Sequence, residues 1–378
     1  ATFVSISRAV EDSRRMMAIR RLAEHLDISI GTVSRALNGR PDVNEATRQR
    51  VLDAAAALGY VPNPSGRALR KGSTGIIGFM IETGANTATD GDSFFLSVFD
   101  GVQTVLKRHG LDFVALLCGS GEDPSEYLKR VVGRGFVDGV IISATQRHDP
   151  RIDFLADRHV PFIMLGRSLT DRGEAWYDLD FEGMAETAVT RLVERGHRRI
   201  AVAAPAGELN LGYVFVESYR HAIEARGLAF DPALVLRCDQ NQACGYALAR
   251  RLLDMPDRPT AMIMVNELLS IGFYRGLTEA GVRPGRDIAV IGRDSPHTRF
   301  LSPPLTAFST SLRDLGIALA EGLLATMPAY ADAYPTGMTR KLWPMILLDG
   351  QSDTMVVAPV AATASPPSTA ILPQVAGS

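Results

Sequence analysis

Residues 17–39 read MAIRRLAEHLDISIGTVSRALNG, and this stretch decides the fold of the N-terminal part of the chain. Apolar residues recur at helical spacing over 19–26 and again over 30–38, which predicts two short amphipathic helices. Asp27 lies between them at the expected turn, and small Ala23 allows the second helix to cross the first closely. The pattern predicts a helix-turn-helix unit.

The second predicted helix has one apolar face and one polar face. Ser29 is a suitable N-cap, and Val33, Ala36 and Leu37 are expected to face inward. In helix-turn-helix proteins such a helix presents its polar face to the major groove of DNA. The alternative is a plain pair of packed helices, because any short amphipathic pair gives a similar pattern. The outward residues are Gly31, Thr32, Ser34, Arg35 and Asn38.

A third helix is expected to complete this unit, capped by Asn44 and ended by Gly59. Over 17–72 basic residues outnumber acidic ones, whereas the whole chain has a formal net charge of -2. Because the field that attracts DNA is local, this distribution is compatible with nucleic-acid binding. The predicted buried stripe of the third helix is Val51, Ala54, Ala55 and Leu58.

The rest of the chain alternates short apolar runs with amphipathic helices. Runs such as GIIGFMI, DGVIISA, AMIMVN and IAVIGRD lack polar alternation, as expected of parallel strands buried on both faces. This βαβ series predicts an α/β fold with doubly wound parallel sheets behind a small all-α domain. A length of 378 residues suits two or three domains.

Composition indicates a globular protein, with 46% hydrophobic and 22% charged residues. The cysteines Cys118, Cys238 and Cys244 lack metal-site spacing, and their odd number is a poor disulfide framework, which favours a reducing cytoplasm. No apolar run has the length of a membrane span, and no secretory signal is recognisable. Residues 1–16 are expected to be a disordered extension, and 359–378 a disordered tail rich in Ala, Pro, Ser and Thr.

The strings SIGTVSRALNG, RQRVLDAAAALGYVPN and SGRALR are similar, almost position by position, to the N-terminal part of LacI/GalR transcription regulators. Asp27 is a departure, because the family usually has glycine at the turn, although Asp tolerates a left-handed backbone better than most residues. The resemblance implies a helix-turn-helix domain over 17–60, a hinge helix or linker over 61–73 and a ligand-binding and dimerisation domain over 74–358.

For the last of these domains the resemblance implies two doubly wound parallel-sheet lobes of the type-I periplasmic binding protein fold. Lobe 1 is expected at about 74–168 and 300–330, and lobe 2 at about 169–299 and 331–358.

The resemblance also places DNA contacts. Ile30 and Gly31 occupy the base-selecting positions at the start of the recognition helix, where neither side chain offers a bidentate hydrogen bond, so shape and methyl contacts are expected. Arg35 suits a guanine edge, and nearby hydroxyl groups suit phosphates. The predicted DNA-binding residues are Ser29, Ile30, Gly31, Thr32, Ser34, Arg35, Asn38, Asn63, Arg67 and Leu69.

Residues 63–70, NPSGRALR, resemble the family's hinge helix, which orders on the operator. Leu69 would insert as an apolar wedge into the minor groove and kink the DNA, while Arg67 and Arg70 would neutralise phosphates. The alternative is a plain flexible linker, because Gly66 weakens a helix.

Ligands of open α/β sheets lie beyond the carboxyl ends of the strands, so residues that follow the predicted strands are candidates for effector contacts. Asn266 and Asp294 match family positions that bind sugar hydroxyls or other polar groups, although each can instead cap the next helix. Phe94 or Phe95 can pack on a sugar face or belong to the core. The predicted effector-binding residues are Phe94, Phe95, Ser143, Arg167, Tyr213, Phe215, Asn266 and Asp294.

The predicted cleft departs from the best-known members of the family. Tyr213 and Phe215 stand where an arginine usually grips the effector, and Gln240 stands near where an aromatic platform is common. Arg293 and Ser295 replace the usual aromatic residue and acid. The resemblance therefore does not identify the effector.

The resemblance implies a cytoplasmic repressor, a homodimer or tetramer, whose affinity for palindromic double-stranded operator DNA is controlled by a small-molecule effector, expected to be a sugar. Induction is favoured over corepression, but the sign stays open. The alternative is a solute-binding receptor for sugar uptake, which would share the lobes but needs an export signal. The absence of GxxxxGK[ST], GxSxG, HExxH and clustered His, Cys and Asp residues argues against an enzyme, a cofactor and a metal.

Overall fold

A computed structural model of the protein describes residues 19–37, 40–58, 73–83, 93–334 and 339–354. The chain divides into two compact units, with the boundary between Thr74 and Gly75. The predicted extension 1–16, the predicted tail 359–378 and nearly all of the predicted hinge lie outside the described residues.

The N-terminal unit contains three described helices: α1 at 19–26, α2 at Ile30–Leu37 and α3 at Glu45–Ala57. Leu22, Val33 and Val51 are fully buried, one from each helix, and join the three into one small core. The predicted inward face of α2 is confirmed. Leu58 was predicted to be buried, which is wrong: it is 51% exposed, because it caps the end of α3 rather than belonging to its apolar stripe.

The turn between α1 and α2 has the predicted backbone. Asp27 has a φ of 51°, in the left-handed region where glycine is usual. Ser29 caps α2, since its Oγ accepts a hydrogen bond from the Thr32 backbone N–H at 3.0 Å. Asn44 caps α3 in the same way, with Oδ1 2.7 Å from the Thr47 nitrogen. Both predicted caps are confirmed.

The second unit contains two sheets, which confirms the predicted α/β class. In the described residues the first sheet has the order β11-β5-β4-β3-β1-β2, and all its neighbouring strands are parallel. Helices α5 and α6 cover one face of this sheet, and α4 and α11 cover the other. The strands are β1 (Ile76–Glu82), β2 (Asp112–Cys118), β3 (Gly139–Ile142), β4 (Phe162–Leu165), β5 (Trp176–Leu179) and β11 (Arg340–Trp343), and the helices are α4 (Ser93–Arg108), α5 (Pro124–Gly133), α6 (Pro150–Asp157) and α11 (Leu312–Ala325).

The second sheet has the order β12-β10-β9-β8-β6-β7 and is parallel except for the edge strand β12, which pairs antiparallel with β10. Helices α7 and α8 pack on one face, and α9 and α10 on the other. The strands are β6 (Ile200–Pro205), β7 (Val235–Cys238), β8 (Ala261–Met264), β9 (Ala289–Arg293), β10 (Thr306–Ser309) and β12 (Ile346–Leu348), and the helices are α7 (Phe181–Glu194), α8 (Asn210–Glu224), α9 (Gln242–Leu253) and α10 (Glu267–Glu279).

Three passages of the described chain connect the two sheets, after β5, after β10 and after β11. These crossovers differ from the predicted lobe boundaries. Strand β5 falls within 169–299 and β11 within 331–358, yet both extend the edge of the first sheet by parallel pairing. Strand β10 falls within 300–330 but pairs with β9 of the second sheet. The boundary between the two lobes depends on which strands pair, and the length of the chain does not reveal that pairing.

Helices α4 and α11 cross at two glycines. A Cβ atom on Gly101 would lie 2.0 Å from the Arg313 carbonyl oxygen, and one on Gly316 would lie 2.0 Å from the Val98 carbonyl oxygen. No side chain fits at such a distance, so both positions require glycine. The crossing fixes α4, whose first turn carries Phe94 and Phe95.

Candidate functional site

The first candidate surface is the outer face of α2. Ile30 is 46% exposed, and Gly31 and Arg35 are exposed, while Thr32 and Ser34 are half-buried. The Ser29 and Thr32 hydroxyl groups lie 2.9 Å apart at the start of the helix. The structure therefore brings the predicted residues of α2 together on one accessible helix. The remaining predicted DNA contacts lie outside the described residues: Asn38, Asn63, Arg67 and Leu69.

The charged residue on the outer face of α2, Arg35, forms only a weak ion pair. Arg35 Nε lies 3.5 Å from Asp42 Oδ2, and both side chains are more than half exposed. An ion pair of this kind contributes little to stability, because water screens it. Arg35 can therefore exchange Asp42 for another acceptor without a large loss of stability.

The second candidate site is a cavity between the two sheets of the second unit. Its volume is about 940 Å³, including the part open to solvent. Carboxyl ends of strands from both sheets surround it, as expected for parallel α/β sheets. The polar lining residues are Ser143, Thr145, Arg167, Asp178, Gln240, Asn266, Glu267 and Arg293, and the apolar ones include Phe94, Phe95, Leu165, Leu179, Phe181, Leu209, Leu211 and Val265.

Ser143 lines the first-sheet side of the cavity. It is 2% exposed, and its Oγ donates to the Met80 carbonyl oxygen at 2.8 Å. Next to it Ala144 has a φ of 52°, a strained value for a residue with a side chain. Arg151 holds this segment in place, since its Nη2 donates to the Ser143 and Ala144 carbonyl oxygens at 3.0 and 3.1 Å.

Arg151 is itself buried, at 1% exposure. Asp149 accepts from its Nη2 at 2.7 Å, and Glu82 accepts from its Nη1 at 3.0 Å. Two carboxyl groups thus compensate the buried charge of Arg151. The guanidinium group can therefore stay buried and hold Ser143 and Ala144 in the wall of the cavity.

Arg167 and Asp178 form the charged pair on the first-sheet side. Arg167 Nε lies 3.1 Å from Asp178 Oδ2, and Glu182 also accepts from the guanidinium group. Burial raises the pKa of Asp178 to about 7, although the positive charge of Arg167 opposes the rise. The Arg167 guanidinium group also lies 5.7 Å from the centroid of the Trp176 ring.

Asn266, Glu267 and Arg293 lie on the second-sheet side, at the ends of β8 and β9. Asn266 caps α10, with Oδ1 2.7 Å from the Leu268 nitrogen, and also lines the cavity. Both interpretations of this residue, cap and lining residue, therefore apply. Arg293 Nη2 lies 3.8 Å from Glu267 Oε2, and the guanidinium group lies 5.0 Å from the centroid of the Phe94 ring.

Gln240 completes this side, beyond the end of β7. Its Nε2 donates to the Cys238 carbonyl oxygen at 2.9 Å. Cys238 and Cys244, whose Cα atoms are 6.4 Å apart, form a disulfide across the loop that carries Gln240. The sequence did not predict this pair, since an odd number of cysteines argues against a disulfide framework but does not exclude one bridge.

Three predicted effector residues need correction, since none of them is among the described residues that line the cavity. Phe215 is 0% exposed and belongs to the hydrophobic core between α7 and α8, so it has no surface to offer a ligand. The ring of Tyr213 contacts two guanidinium groups, since those of Arg147 and Arg237 lie 4.5 and 5.3 Å from its centroid.

Asp294 is the third. Arg299 holds both of its oxygens, at 2.8 and 3.1 Å, and the Ser309 hydroxyl donates to it at 3.0 Å. Burial raises the pKa of Asp294, but these hydrogen bonds outweigh it and hold the pKa below its usual range. The preceding residue, Arg293, lines the cavity instead.

The two halves of the second unit touch along one wall of the cavity. Gln146 and Leu209 form an isolated antiparallel bridge. The Asn210 backbone N–H donates to the Thr145 carbonyl oxygen at 3.0 Å, and its Nδ2 donates to the Arg167 carbonyl oxygen at 2.8 Å. A ligand that contacts Thr145 or Arg167 therefore also contacts the segment that joins the halves.

Five of the eight predicted effector residues line the cavity: Phe94, Phe95, Ser143, Arg167 and Asn266. Sequence reasoning missed Thr145, Asp178 and Glu267, and noted Gln240 and Arg293 only as departures from a family pattern. The rule that ligands lie beyond strand ends would have found Thr145 and Glu267, since each lies within three residues of a strand.

Two family models match the chain. The model of "Bacterial regulatory proteins, lacI family" matches residues 19–63. The model of a "Periplasmic binding protein-like domain" matches residues 189–352. The first match contains all three described helices of the N-terminal unit, and the second contains every strand of the second sheet.

Individual proteins match over most of the chain. The HTH-type transcriptional regulator AglR of Rhizobium meliloti (strain 1021) is 33% identical over 330 residues, which cover 86% of this chain and 91% of AglR. A solved structure of the "transcriptional regulator CelR-cellobiose complex" matches with a TM-score of 0.66 at 30% identity, covering 88% of this chain and 99% of the other. A lac repressor dimer bound to operator and the anti-inducer ONPF shares the fold, with a TM-score of 0.75 at 22% identity over 88% of this chain and 98% of the other.

Proposed function

The chain belongs to the LacI family of bacterial transcriptional regulators, and on that premise we propose that it is a repressor whose hold on operator DNA is controlled by a sugar. The family makes it a DNA-binding regulator and not an enzyme. The observation that carries the proposal of a small effector is the cavity between the two sheets, lined by polar residues at strand ends and by Phe94 and Phe95.

For DNA, we propose that α2 enters the major groove. Its outer face offers Ile30 for apolar contact with a base, Arg35 for a guanine edge and Ser29 and Thr32 for phosphates. A homodimer would read a palindromic operator, because a two-fold protein axis matches half-sites about one helical turn apart.

For the effector, the relative solved with cellobiose supports a sugar, since its chain is 30% identical over 88% of this chain. Aromatic rings beside hydrogen-bonding groups suit a molecule with apolar faces and polar edges. We expect the sugar to act as an inducer that weakens operator binding.

The coupling would run through the contact between the two halves. Asn210 reaches Thr145 and Arg167 across the cavity wall, so a bound sugar changes the balance between closed and open halves. A coupling of this kind is typically worth about 1–3 kcal/mol, or about 5- to 150-fold in operator affinity.

A receptor for sugar uptake would share the cavity but would not bind DNA. The part of the chain that the structure describes contains no helix with the length and hydropathy of a membrane span. The residues of α2 favour the regulator, which would work in the cytoplasm where its operator lies.

The test is fluorescence anisotropy with the purified full chain and duplexes from its own genomic neighbourhood, at several salt concentrations, with and without cellobiose. The regulator should bind one duplex specifically and lose about 10³- to 10⁵-fold in affinity between about 50 and 200 mM salt, as counterion release requires. Failure to bind any duplex under all conditions would refute the proposal. Unchanged operator affinity with every sugar tried would refute the sugar-controlled part alone.

A further inference from the structure

Two buried oxygen atoms on the wall of the cavity have no hydrogen-bond donor among the described residues. They are Oε1 of Gln240 and Oε2 of Glu267. The two residues are only 6% and 4% exposed, and both line the cavity. Because a buried acceptor without a donor is destabilising, folded proteins leave few of them, and those at a cavity require a donor from a ligand or water.

The surrounding structure fixes the amide of Gln240. Its Nε2 group is already used, since it donates to the Cys238 carbonyl oxygen at 2.9 Å. Asn241 caps α9 by accepting from the Cys244 nitrogen at 2.8 Å, and the Cys238–Cys244 disulfide closes the loop. Oε1 is therefore presented on a restrained segment rather than on a freely turning one.

Glu267 is held as the first residue of α10, directly after the cap Asn266. The nearest cation is Arg293, whose Nη2 lies 3.8 Å from Glu267 Oε2, beyond hydrogen-bond range. Arg293 in turn lies over the Phe94 ring. The carboxyl group therefore lies near a positive charge, but its Oε2 has no hydrogen-bond donor among the described residues.

Charged side chains of both signs line the cavity. Its described lining contains the guanidinium groups of Arg167 and Arg293 and the carboxyl groups of Asp178 and Glu267. Arg167 is engaged by Asp178, and Arg293 lies near Glu267, so neither offers an uncompensated positive charge to an anion. An ammonium ligand would meet both guanidinium groups.

We propose that the effector is a neutral polyhydroxy compound whose hydroxyl groups donate to Gln240 Oε1 and Glu267 Oε2, and that these two residues determine which effectors bind. The inference rests on the proposed function and deepens it, by naming the neutral class and the two acceptors. It explains why both acceptors are buried at the cavity without a hydrogen-bond donor among the described residues.

Isothermal titration calorimetry with the full chain tests the inference. The probes are glucose and cellobiose as neutral sugars, glucose 6-phosphate and glucuronate as anions, and glucosamine as a cation. We expect a neutral sugar to bind and the charged compounds to bind at least about tenfold more weakly. For the neutral sugar that binds, E267Q and Q240L should each lower the affinity at least about tenfold, because each variant removes an acceptor that a hydroxyl requires.

Matched controls separate binding from folding. Q242L changes a neighbouring glutamine and E279Q changes a glutamate at the far end of α10, neither of which lines the cavity, so both should keep wild-type affinity. Thermal unfolding of Q240L and E267Q without sugar shows how much of each variant is folded, since Q240L also removes the hydrogen bond to the Cys238 carbonyl oxygen and E267Q removes the negative charge near Arg293. A deoxy analogue that lacks the donating hydroxyl should bind the wild type more weakly and the matching variant equally well.

The inference is overturned if only charged compounds bind, if no neutral sugar binds, or if Q240L and E267Q keep wild-type affinity. Operator binding is measured separately. Specific operator binding with release by glucose 6-phosphate would refute the neutral class and leave an effector-controlled regulator intact, whereas absence of operator binding would refute the regulator itself.

Discussion

The guanidinium group of Arg167 lies 3.1 Å from the carboxyl group of Asp178 at the wall of the cavity, and the two side chains are 21% and 9% exposed. Glu182 and Asp180 add negative charge on the same side. The pair therefore combines a favourable contact with an unfavourable burial, and burial is the stronger effect on Asp178, whose pKa it raises to about 7.

Replacing Asp178 with Asn should flatten the dependence of stability on pH. In the wild type the folded state binds the proton of Asp178 more tightly than the unfolded chain does, since the pKa is about 7 rather than 3.8. The free energy of unfolding should therefore rise as the pH falls from about 8 to about 5, by on the order of a few kcal/mol. Urea unfolding at several pH values measures the slope. D153N, at an exposed position, should keep it, and an equal slope in D178N would contradict the assignment.

Replacing Arg151 with Met should destabilise the second unit by about 3–5 kcal/mol, because Asp149 and Glu82 would lose their buried partner. The Ser143–Ala144 segment would also lose two hydrogen bonds, so sugar affinity should fall in whatever protein remains folded. Chemical unfolding and calorimetry give the two values. R158M, just beyond the end of the same helix and exposed, is the control, and equal stability of R151M and R158M would count against the buried cluster.

Replacing Gly101 with Ala should destabilise the protein by about 1–3 kcal/mol, since the new Cβ would overlap the Arg313 carbonyl oxygen unless α4 and α11 separate. G133A provides the comparison, because nothing lies within 4 Å of a Cβ atom at the end of α5. It should be neutral or slightly stabilising. Thermal unfolding of both variants measures the difference. Unchanged stability of G101A would show that α4 and α11 do not cross as closely as described.

Replacing Arg35 with Ala should weaken operator binding by about 1–3 kcal/mol and relax the base preference at one position, with little effect on folding. Its exposed pair with Asp42 at 3.5 Å contributes little to stability. Anisotropy with a set of point-mutated operators measures both effects. R275A removes the same charge from an exposed site in the second unit and should leave binding unchanged; a uniform loss for all operators with R35A would instead indicate a phosphate contact.

The disulfide between Cys238 and Cys244 predicts how many free thiol groups can be titrated before and after reduction. Denatured, unreduced protein should show one reactive thiol, that of Cys118, and reduced protein should show three, because the chain has three cysteines and Cys238 pairs with Cys244. Titration with an aromatic disulfide reagent measures the number. Three thiols before reduction in protein purified without reductant would contradict the pairing.

Local patterns were sufficient for the N-terminal helices. The apolar spacing around Leu22, Val33 and Val51, and the caps Ser29 and Asn44, predicted three helices that the structure contains, because all these signals act within a few residues. Leu58 was wrongly predicted to be buried, because its position continues the apolar spacing of α3 although the helix ends at Ala57.

The strand-end rule located Ser143, Arg167 and Asn266 at the cavity, since a buried apolar run marks the strand and its carboxyl end marks the site. The same rule failed for Asp294, because Arg299 and Ser309 hold its carboxyl group. Phe215 was predicted from the family pattern instead, and it lies in the core because the orientation of α8 depends on packing against α7, which no residue of α8 encodes by itself.

By itself, therefore, the sequence determined the helix-turn-helix, the α/β class and several of the polar residues that follow strands at the cavity. Periodicity and capping are properties of neighbouring residues, so they can be recognised without the tertiary structure. Only the tertiary structure decided which sheet β5, β10 and β11 join and which polar groups meet across the cavity. Arg167 and Asp178 from the first-sheet side meet Gln240 and Glu267 from the second-sheet side at one cavity, which depends on distances between segments far apart in the chain. Those distances are set by the packing of the whole second unit.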